Sequence, residues 1–246
     1  MSDQSALKAE FERLHGFWSD ACQQALQENA PFFGDYLVMA RAALEGGHLD
    51  RKLCDLVMIA ASASVTHLNA EATALHIEGA LSHGATRKEI AETLQIASVL
   101  GIHAYMVGVP ALIEEATAAG HSVDALFPLN AQFEKVKAEF TAARGYWSDQ
   151  LETMVRSSPA FFEGYTAFSS TPWRHGTLAP VVKELLYVAI DVSTTHLFEP
   201  GVRIHTRNAL RYGATPAQVL QVMQVVSCLG FQSFLLGAAH LARAAS

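Results

Sequence analysis

The chain repeats itself. Displaced by about 129 residues it aligns on its own sequence without a gap, with about thirty identities over about a hundred positions. Lys8-Ala9-Glu10-Phe11 falls on Lys137-Ala138-Glu139-Phe140, Trp18-Ser19-Asp20 on Trp147-Ser148-Asp149, Phe32-Phe33 on Phe161-Phe162 and Tyr36 on Tyr165. Farther along, Thr66-His67-Leu68 falls on Thr195-His196-Leu197, His76 on His205, Gly84-Ala85-Thr86 on Gly213-Ala214-Thr215 and Gly101 on Gly230. A register that never slips preserves loop lengths as well as helices, so both halves must adopt the same fold. Residues 1–119 form the first repeat and 131–246 the second. Residues 120–130, with Gly120 and Pro128 and no sustained periodicity, read as a linker.

Both halves read as helical, because strand-type alternation and tight-turn dipeptides such as Asn-Gly are missing. Pro31 and Pro159 stand near the start of the helix that carries Phe-Phe, where a missing N–H costs nothing. Thr86 with Glu89 forms a capping box, and Thr215 before Pro216 forms an N-cap with proline at the first helical position. Gly84 and Gly213 then end the preceding helix in left-handed geometry. Each unit is expected to hold a long first helix, the Phe-Phe helix, an apolar helix over about Leu49–Thr66 (Leu178–Thr195), a histidine helix, a helix opening at Gly-Ala-Thr and a last apolar helix. The fold class is all-α, a tandem duplication of one helical unit.

Composition decides among partners. With 50% hydrophobic residues the 246-residue chain fills a core, and with only 17% charged residues it keeps apolar surface that an oligomer would cover. A net charge of −7 without any basic run argues against nucleic acid and anionic membrane surfaces. The stretch from Met1 to Phe11 is polar, with no leader-like or spanning segment, so a cytoplasmic location is expected. Cys22, Cys54 and Cys228 are widely spaced and build neither a disulfide framework nor a Cys-x-x-Cys pair.

The spacing of His67 to His76, repeated from His196 to His205, is the most informative chemical feature. On one straight helix, nine residues at 100° each point the two rings away from each other. In the second copy Pro200-Gly201 interrupts the stretch, and a proline there reads as the start of a new helix with Phe198 or Glu199 near its cap. The chain then folds back, and a histidine at one helix end meets a histidine on the next helix. Glu199 and Arg203 follow one turn apart on a single face. Thr66 and Thr195 accompany the histidines in both copies. A metal site is not expected, since no His-x-x-x-His or Glu-x-x-His pair accompanies the imidazoles. No Gly-x-Ser-x-Gly elbow, dinucleotide loop or Walker sequence occurs, so nucleophilic and nucleotide chemistry have no visible machinery and no cofactor is expected.

The stretch Leu178 to Gly230 resembles the carboxymuconolactone decarboxylase family through Lys183-Glu184-Leu185, Thr195-His196-Leu197-Phe198-Glu199-Pro200-Gly201, His205, Ala209 and Gly213-Ala214-Thr215. The first copy matches through Asp55-Leu56, Thr66-His67-Leu68, His76, Ala80, Gly84-Ala85-Thr86 and Glu89-Ile90. The resemblance implies an alkylhydroperoxidase D-like helical unit in both copies. It places the family glutamate on Glu184, with Asp55 as its shorter counterpart, and the family histidine on His205 and His76. Redox members of the family use a Cys-x-x-Cys that is missing here, which leaves cofactor-free decarboxylation or isomerisation of a small lactone or keto acid from aromatic catabolism. In that reading His196 or His205 donates the proton, Glu184 or Glu199 sets the imidazole tautomer, Arg203 orients the substrate carboxylate, and His67 and His76 are the first-copy equivalents. The second copy, with its Pro-Gly break and Arg203, is expected to be the better catalyst. Single-unit relatives assemble as hexamers or trimers, so a homotrimer of the fused chain would reproduce six units. Two rivals remain: a non-catalytic helical assembly protein, and a peroxidase-related member that has lost its thiols.

Overall fold

The computed structural model describes residues 4–144 and 147–244; the outer ends given to the two repeats, 1–3 and 245–246, and residues 145–146 lie outside the described residues. The described residues form helices and no strand. The first repeat contributes α1 (Gln4–His15), α2 (Asp20–Glu28), α3 (Ala30–Leu44), α4 (Arg51–Ser62), α5 (Ala70–Ser82), α6 (Arg87–Ser98) and α7 (His103–Ala118). After the short α8 (Val123–Leu126), the second repeat contributes α9 (Ala131–Arg144), α10 (Asp149–Ser157), α11 (Pro159–His175), α12 (Pro180–Val192), α13 (Glu199–Arg211), α14 (Pro216–Ser227) and α15 (Phe231–Ala244).

The punctuation behaves as its chemistry requires. Thr86 and Glu89 cap each other reciprocally at α6, with N···O distances of 2.7 and 3.2 Å, and Thr215 with Gln218 does the same at α14. Gly84 and Gly213 take φ of 86° and 96°, a conformation that disfavours any Cβ. Pro31 and Pro159 lie in the first turn of α3 and α11.

Compact units do not coincide with the repeats. One unit spans Met1–Ala97 and Thr177–Ser246, the other Ser98–Gly176. The physical reason is an exchange of last helices. In the larger unit α15, the end of the second repeat, packs on the first repeat's α1 to α3: the ring of Phe231 stacks on Tyr36 at 3.7 Å and meets Phe33 edge-on at 5.4 Å, while Phe234 meets Phe32 at 5.0 Å. In the smaller unit α7, the end of the first repeat, packs on α9 to α11, and Tyr105 meets Phe161 at the same 5.0 Å. Its core is Ile102, Phe133, Val136, Phe140, Leu151, Met154, Val155 and Phe162. Aromatic pairs of this kind contribute about 0.5–1.5 kcal/mol each beyond their burial.

A second reciprocity lies inside the larger unit. Gln221 of α14 accepts through Oε1 from the backbone N–H of His48 and Leu49, both at 2.9 Å, ahead of α4. Glu92 of α6 accepts through Oε2 from the N–H of Thr177 and Leu178, at 2.5 and 2.9 Å, ahead of α12. Each repeat therefore anchors the loop that leads into the other's central helix. The second arrangement carries charge: Lys183 Nζ lies 3.0 Å from Glu92 Oε1, with both side chains almost fully buried. Two helical stretches, Arg87–Ala118 and Pro216–Ala244, are long and apolar enough to cross a membrane by composition alone; here they bury Ile90, Ile96, Val222 and Val226 in the core.

The central helices are shorter than their apolar runs. Expected to continue to Thr66 and Thr195, α4 and α12 end at Ser62 and Val192. Ser64 and Ser193 turn their hydroxyls back on the carbonyls of Ala61 and Ile190, at 2.9 and 2.8 Å, and their own carbonyls accept from His67 and Leu68, and from His196 and Leu197. Leu68 and Leu197 then adopt φ of 43° and 48°. That left-handed geometry costs a non-glycine residue about 1–2 kcal/mol, and it reverses the chain. The first copy makes this reversal without a Pro-Gly break, because Asn69 caps α5 by accepting from the N–H of Ala72.

Candidate active site

The reversal brings the two histidines of each copy toward a common point, but the partners between them differ. In the second copy Glu184 stands on the buried face of α12 and His205 on the facing side of α13. His205 Nδ1 lies 2.6 Å from Glu184 Oε2, and Asn208 donates to Glu184 Oε1 at 3.3 Å. Tyr187 stacks on the His205 ring at 4.5 Å. The imidazole is thus held on one side by a carboxylate and on one face by a phenol ring, which fixes its orientation.

Asp191, two turns beyond Glu184 on α12, completes the cluster. Its Oδ2 lies 3.9 Å from His205 Nε2 and its Oδ1 lies 3.8 Å from His196 Nε2. A fully buried carboxylate between two imidazoles gives the order Glu184, His205, Asp191, His196. Burial pushes the Asp191 carboxyl up to about 7; the nearby Glu184 charge acts in the same direction and His205 opposes it. Burial lowers the His196 imidazole, which favours its neutral form. Near neutral pH the cluster therefore offers a carboxylic acid able to give a proton beside an imidazole able to pass it on.

The room for Asp191 comes from a glycine. A Cβ on Gly201 would lie 2.1 Å from Asp191 Oδ2, 2.7 Å from its Cγ and 2.8 Å from Phe198 Cδ1. At the equivalent places the first copy has Ala72, Ser62 and Asn69, so the wider residue on the helix goes with the smaller ones facing it.

The first copy is wired through a neutral amide. Gln232 of α15 accepts through Oε1 from His67 Nε2 at 2.9 Å and from Asn69 Nδ2 at 3.1 Å. Its Nε2 donates to Ser62 Oγ and to His76 Nε2, both at 3.3 Å. An amide donor on Nε2 leaves the His76 proton on Nδ1. Asp55, one methylene shorter than Glu184, does not serve His76; its carboxylate binds His83 Nδ1 at 2.7 Å and Arg51 at 3.3 Å. Burial raises Asp55 to about 6 against the pull of Arg51 and His83, and burial, with Arg51 acting the same way, lowers His76 to about 4.

Of the residues expected from the sequence, Glu184, His196 and His205 come together, and His67 and His76 meet on Gln232. Glu199 and Arg203 do not join them: they pair with each other on the solvent side of α13, with side chains 70% and 73% exposed. Positions 203 and 205 are about 200° apart around a helix, so a residue one turn after Glu199 faces away from the cluster when His205 faces into it. Glu184, not Glu199, orients the imidazole. Thr66 and Thr195 are exposed and turn their hydroxyls toward Ser64 and Ser193 at 3.2 and 3.3 Å, within their own turns. Sequence reasoning missed Asp191 and Gln232, and read Gly201 only as part of a helix break.

A family model described as the carboxymuconolactone decarboxylase family matches residues 31–120 and again 159–244. Among solved structures, the chain is similar to a provisionally assigned gamma-carboxymuconolactone decarboxylase subunit from Burkholderia xenovorans LB400, with 42% identity, a TM-score of 0.93, and coverage of 98% of this chain and 97% of the other. No curated protein matches.

Proposed function

The chain belongs to the carboxymuconolactone decarboxylase family, and from that premise we propose that it is a carboxy-lyase whose second repeat performs acid/base chemistry on a small lactone or keto acid. The observation that carries this reading is the order Glu184, His205, Asp191, His196, in which one buried acid separates two oriented imidazoles. A lactone bearing a carboxylate on its ring, conjugated with the carbonyl, can lose carbon dioxide with the electron pair passing into the ring as a dienolate. The protein's tasks are to stabilise the new oxyanion and to protonate one carbon. Asp191 is the proton reserve, His196 carries the proton outward from it, and His205, held by Glu184, faces the same carboxylate. The bond broken is that between the ring carbon and the carboxylate; the bond formed is carbon–hydrogen at the α or γ carbon of the dienolate.

Three such chains would supply six units, and exposed apolar side chains such as Val38, Leu68 and Leu197 fit burial in a trimer. The test of activity is a screen of purified protein against carboxylated lactones and β-keto acids for released carbon dioxide, followed by His205→Ala and His76→Ala separately. We expect His205→Ala to lose about 100-fold or more in turnover and His76→Ala to lose little. Full activity of the His205→Ala variant would remove the cluster from the mechanism.

A further inference from the structure

The smaller unit holds a cavity that involves none of the histidines. It measures ≈ 300 Å³, at the lower end of the roughly 300–1,000 Å³ of small-molecule sites. Ile113 of α7, with Val123 and Phe127 at the two ends of α8, forms its apolar wall, and Glu152, Thr153 and Arg156 of α10 form its polar one. All six are half-buried, and all lie within Ser98–Gly176.

Glu152 and Arg156 stand one turn apart on a single helix face, in the order that favours an ion pair, yet each is drawn to other partners. Glu152 Oε2 accepts from Lys137 Nζ at 2.9 Å and from Trp147 Nε1 at 3.3 Å. Arg156 donates through Nε to the Phe127 carbonyl and through Nη2 to Asp124. A carboxylate and a guanidinium are thereby held apart on the wall of one cavity. The hydrogen bond from Lys137, and then that from Trp147, pulls the Glu152 carboxyl below its usual range against burial, so it is charged at neutral pH. Its Oε1 and Arg156 Nη1 take no part in these bonds. Nη1 with the second N–H of Nη2 forms the end-on fork that holds a carboxylate through two hydrogen bonds.

Charge selects the ligand. Lys137, Arg156, Asp124 and Glu152 together carry no net charge, and Asp124, with its side chain 85% exposed, holds Arg156 only weakly. An organic anion drawn to Arg156 would also meet Glu152, and the net charge of −7 on the chain opposes it further. A cation drawn to Glu152 would meet Arg156. A zwitterion satisfies both groups at once, and the apolar wall receives its side chain. The first copy has no such pair: Gln23 and Gln27 stand where the second has Glu152 and Arg156.

We propose that the smaller unit binds a free α-amino acid with an aliphatic side chain, its carboxylate on Arg156, its ammonium on Glu152 and its side chain against Ile113, Val123 and Phe127. This site stands apart from the proposed reaction, because none of its residues belongs to the histidine clusters.

The test is calorimetric titration of the full-length protein at pH 7 with leucine, with N-acetylleucine, which keeps only the anion, and with leucinamide, which keeps only the cation. Leucine should bind at least roughly tenfold more tightly than either analogue. Glu152→Gln should weaken leucine by roughly tenfold or more while N-acetylleucine binding holds or tightens, and Arg156→Gln should weaken leucine equally while leucinamide binding holds or tightens. Such selective losses separate a lost contact from a lost fold, since an unfolded variant loses every ligand. Ile113→Trp, which fills the cavity, should abolish binding of all three, with circular dichroism showing that it is folded; if Arg156→Gln unfolds, Glu152→Gln and Ile113→Trp decide. No leucine binding at millimolar concentration, either analogue bound as tightly as leucine, or leucine affinity unchanged in Glu152→Gln or in folded Ile113→Trp would each overturn the proposal.

Discussion

Replacing Gly201 by alanine tests whether the second-copy cluster depends on the space that glycine leaves. The added Cβ would stand 2.1 Å from Asp191 Oδ2 and 2.7 Å from Cγ, well inside the roughly 3.5 Å at which non-bonded atoms rest. Relief requires more than about 1 Å of movement by a fully buried carboxylate or by the start of α13. Overpacking of this kind costs about 1–3 kcal/mol, and the upper part of that range fits a clash with two atoms of one group. Removing a helical glycine returns about 1 kcal/mol at most. The net expectation for Gly201→Ala is a loss of about 2 kcal/mol, or about 4–8 °C in Tm for a chain of this size. In a background carrying Asp191→Ser and Phe198→Asn, the first copy's combination of Ser62, Asn69 and Ala72 is restored and the clash disappears. There the same Gly201→Ala should be neutral or stabilising, giving a coupling of about 2–3 kcal/mol. Urea unfolding followed by circular dichroism at pH 7 measures all four proteins. Equal effects of Gly201→Ala in both backgrounds would refute the claim that glycine and aspartate are matched.

Further outcomes follow from the charges. Because the folded state holds the Asp191 proton up to about pH 7 while the unfolded chain releases it in the ordinary carboxylate range of about 4, this group's contribution to stability is present below about pH 4 and is lost as pH rises toward 7; the wild-type minus Asp191→Asn stability difference should fall by about 2–4 kcal/mol across that window, and a flat or rising difference curve contradicts the assignment. His76, lowered by burial to about 4, has the opposite sign, since stability from its neutral form is lost as pH falls from about 6.5 toward 4, so only the difference curve isolates Asp191. Glu184→Gln should lower turnover about 100-fold or more, whereas Asp55→Asn should leave it within about threefold, because Asp55 serves His83 and not His76; steady-state kinetics on any substrate found separates the two. Lys183→Met alone strands the buried Glu92 carboxylate and should cost about 3–5 kcal/mol. Adding Glu92→Gln, which supplies the neutral amide that Gln221 offers to backbone N–H groups in the other half, should recover most of the loss by thermal unfolding, and no recovery would mean the charge was not the cause.

The fold was largely legible because its determinants are local. Capping boxes, left-handed glycines and first-turn prolines each act within four residues, and Thr86, Thr215, Gly84 and Gly213 do in the structure what their positions imply. What could not be read was which repeat each last helix would join. Phe231 and Ile102 are both apolar residues at the start of a helix, and nothing in their neighbourhoods says that Phe231 will stack on Tyr36, far away in the other repeat.

The site was legible only as far as the pattern was shared. Residues kept in both copies, His67 and His196 with His76 and His205, drew attention, and the structure does converge them, though through different hubs. The residues that surround the histidines are those that differ: Asp191 against Ser62, Gly201 against Ala72, and Glu184 against Asp55. Gln232, against His103 in the alignment, belongs to the same class. Two such differences of opposite size, a larger side chain gained at 191 and a methyl lost ten residues on, are what a packed contact demands when one partner grows. On a straight helix those positions would lie about 15 Å apart along the axis, so the signal becomes meaningful only once the reversal after His196 is accepted. Internal duplication makes this kind of inference available from one sequence: identity between copies marks the scaffold, while compensating differences mark the pairs in contact.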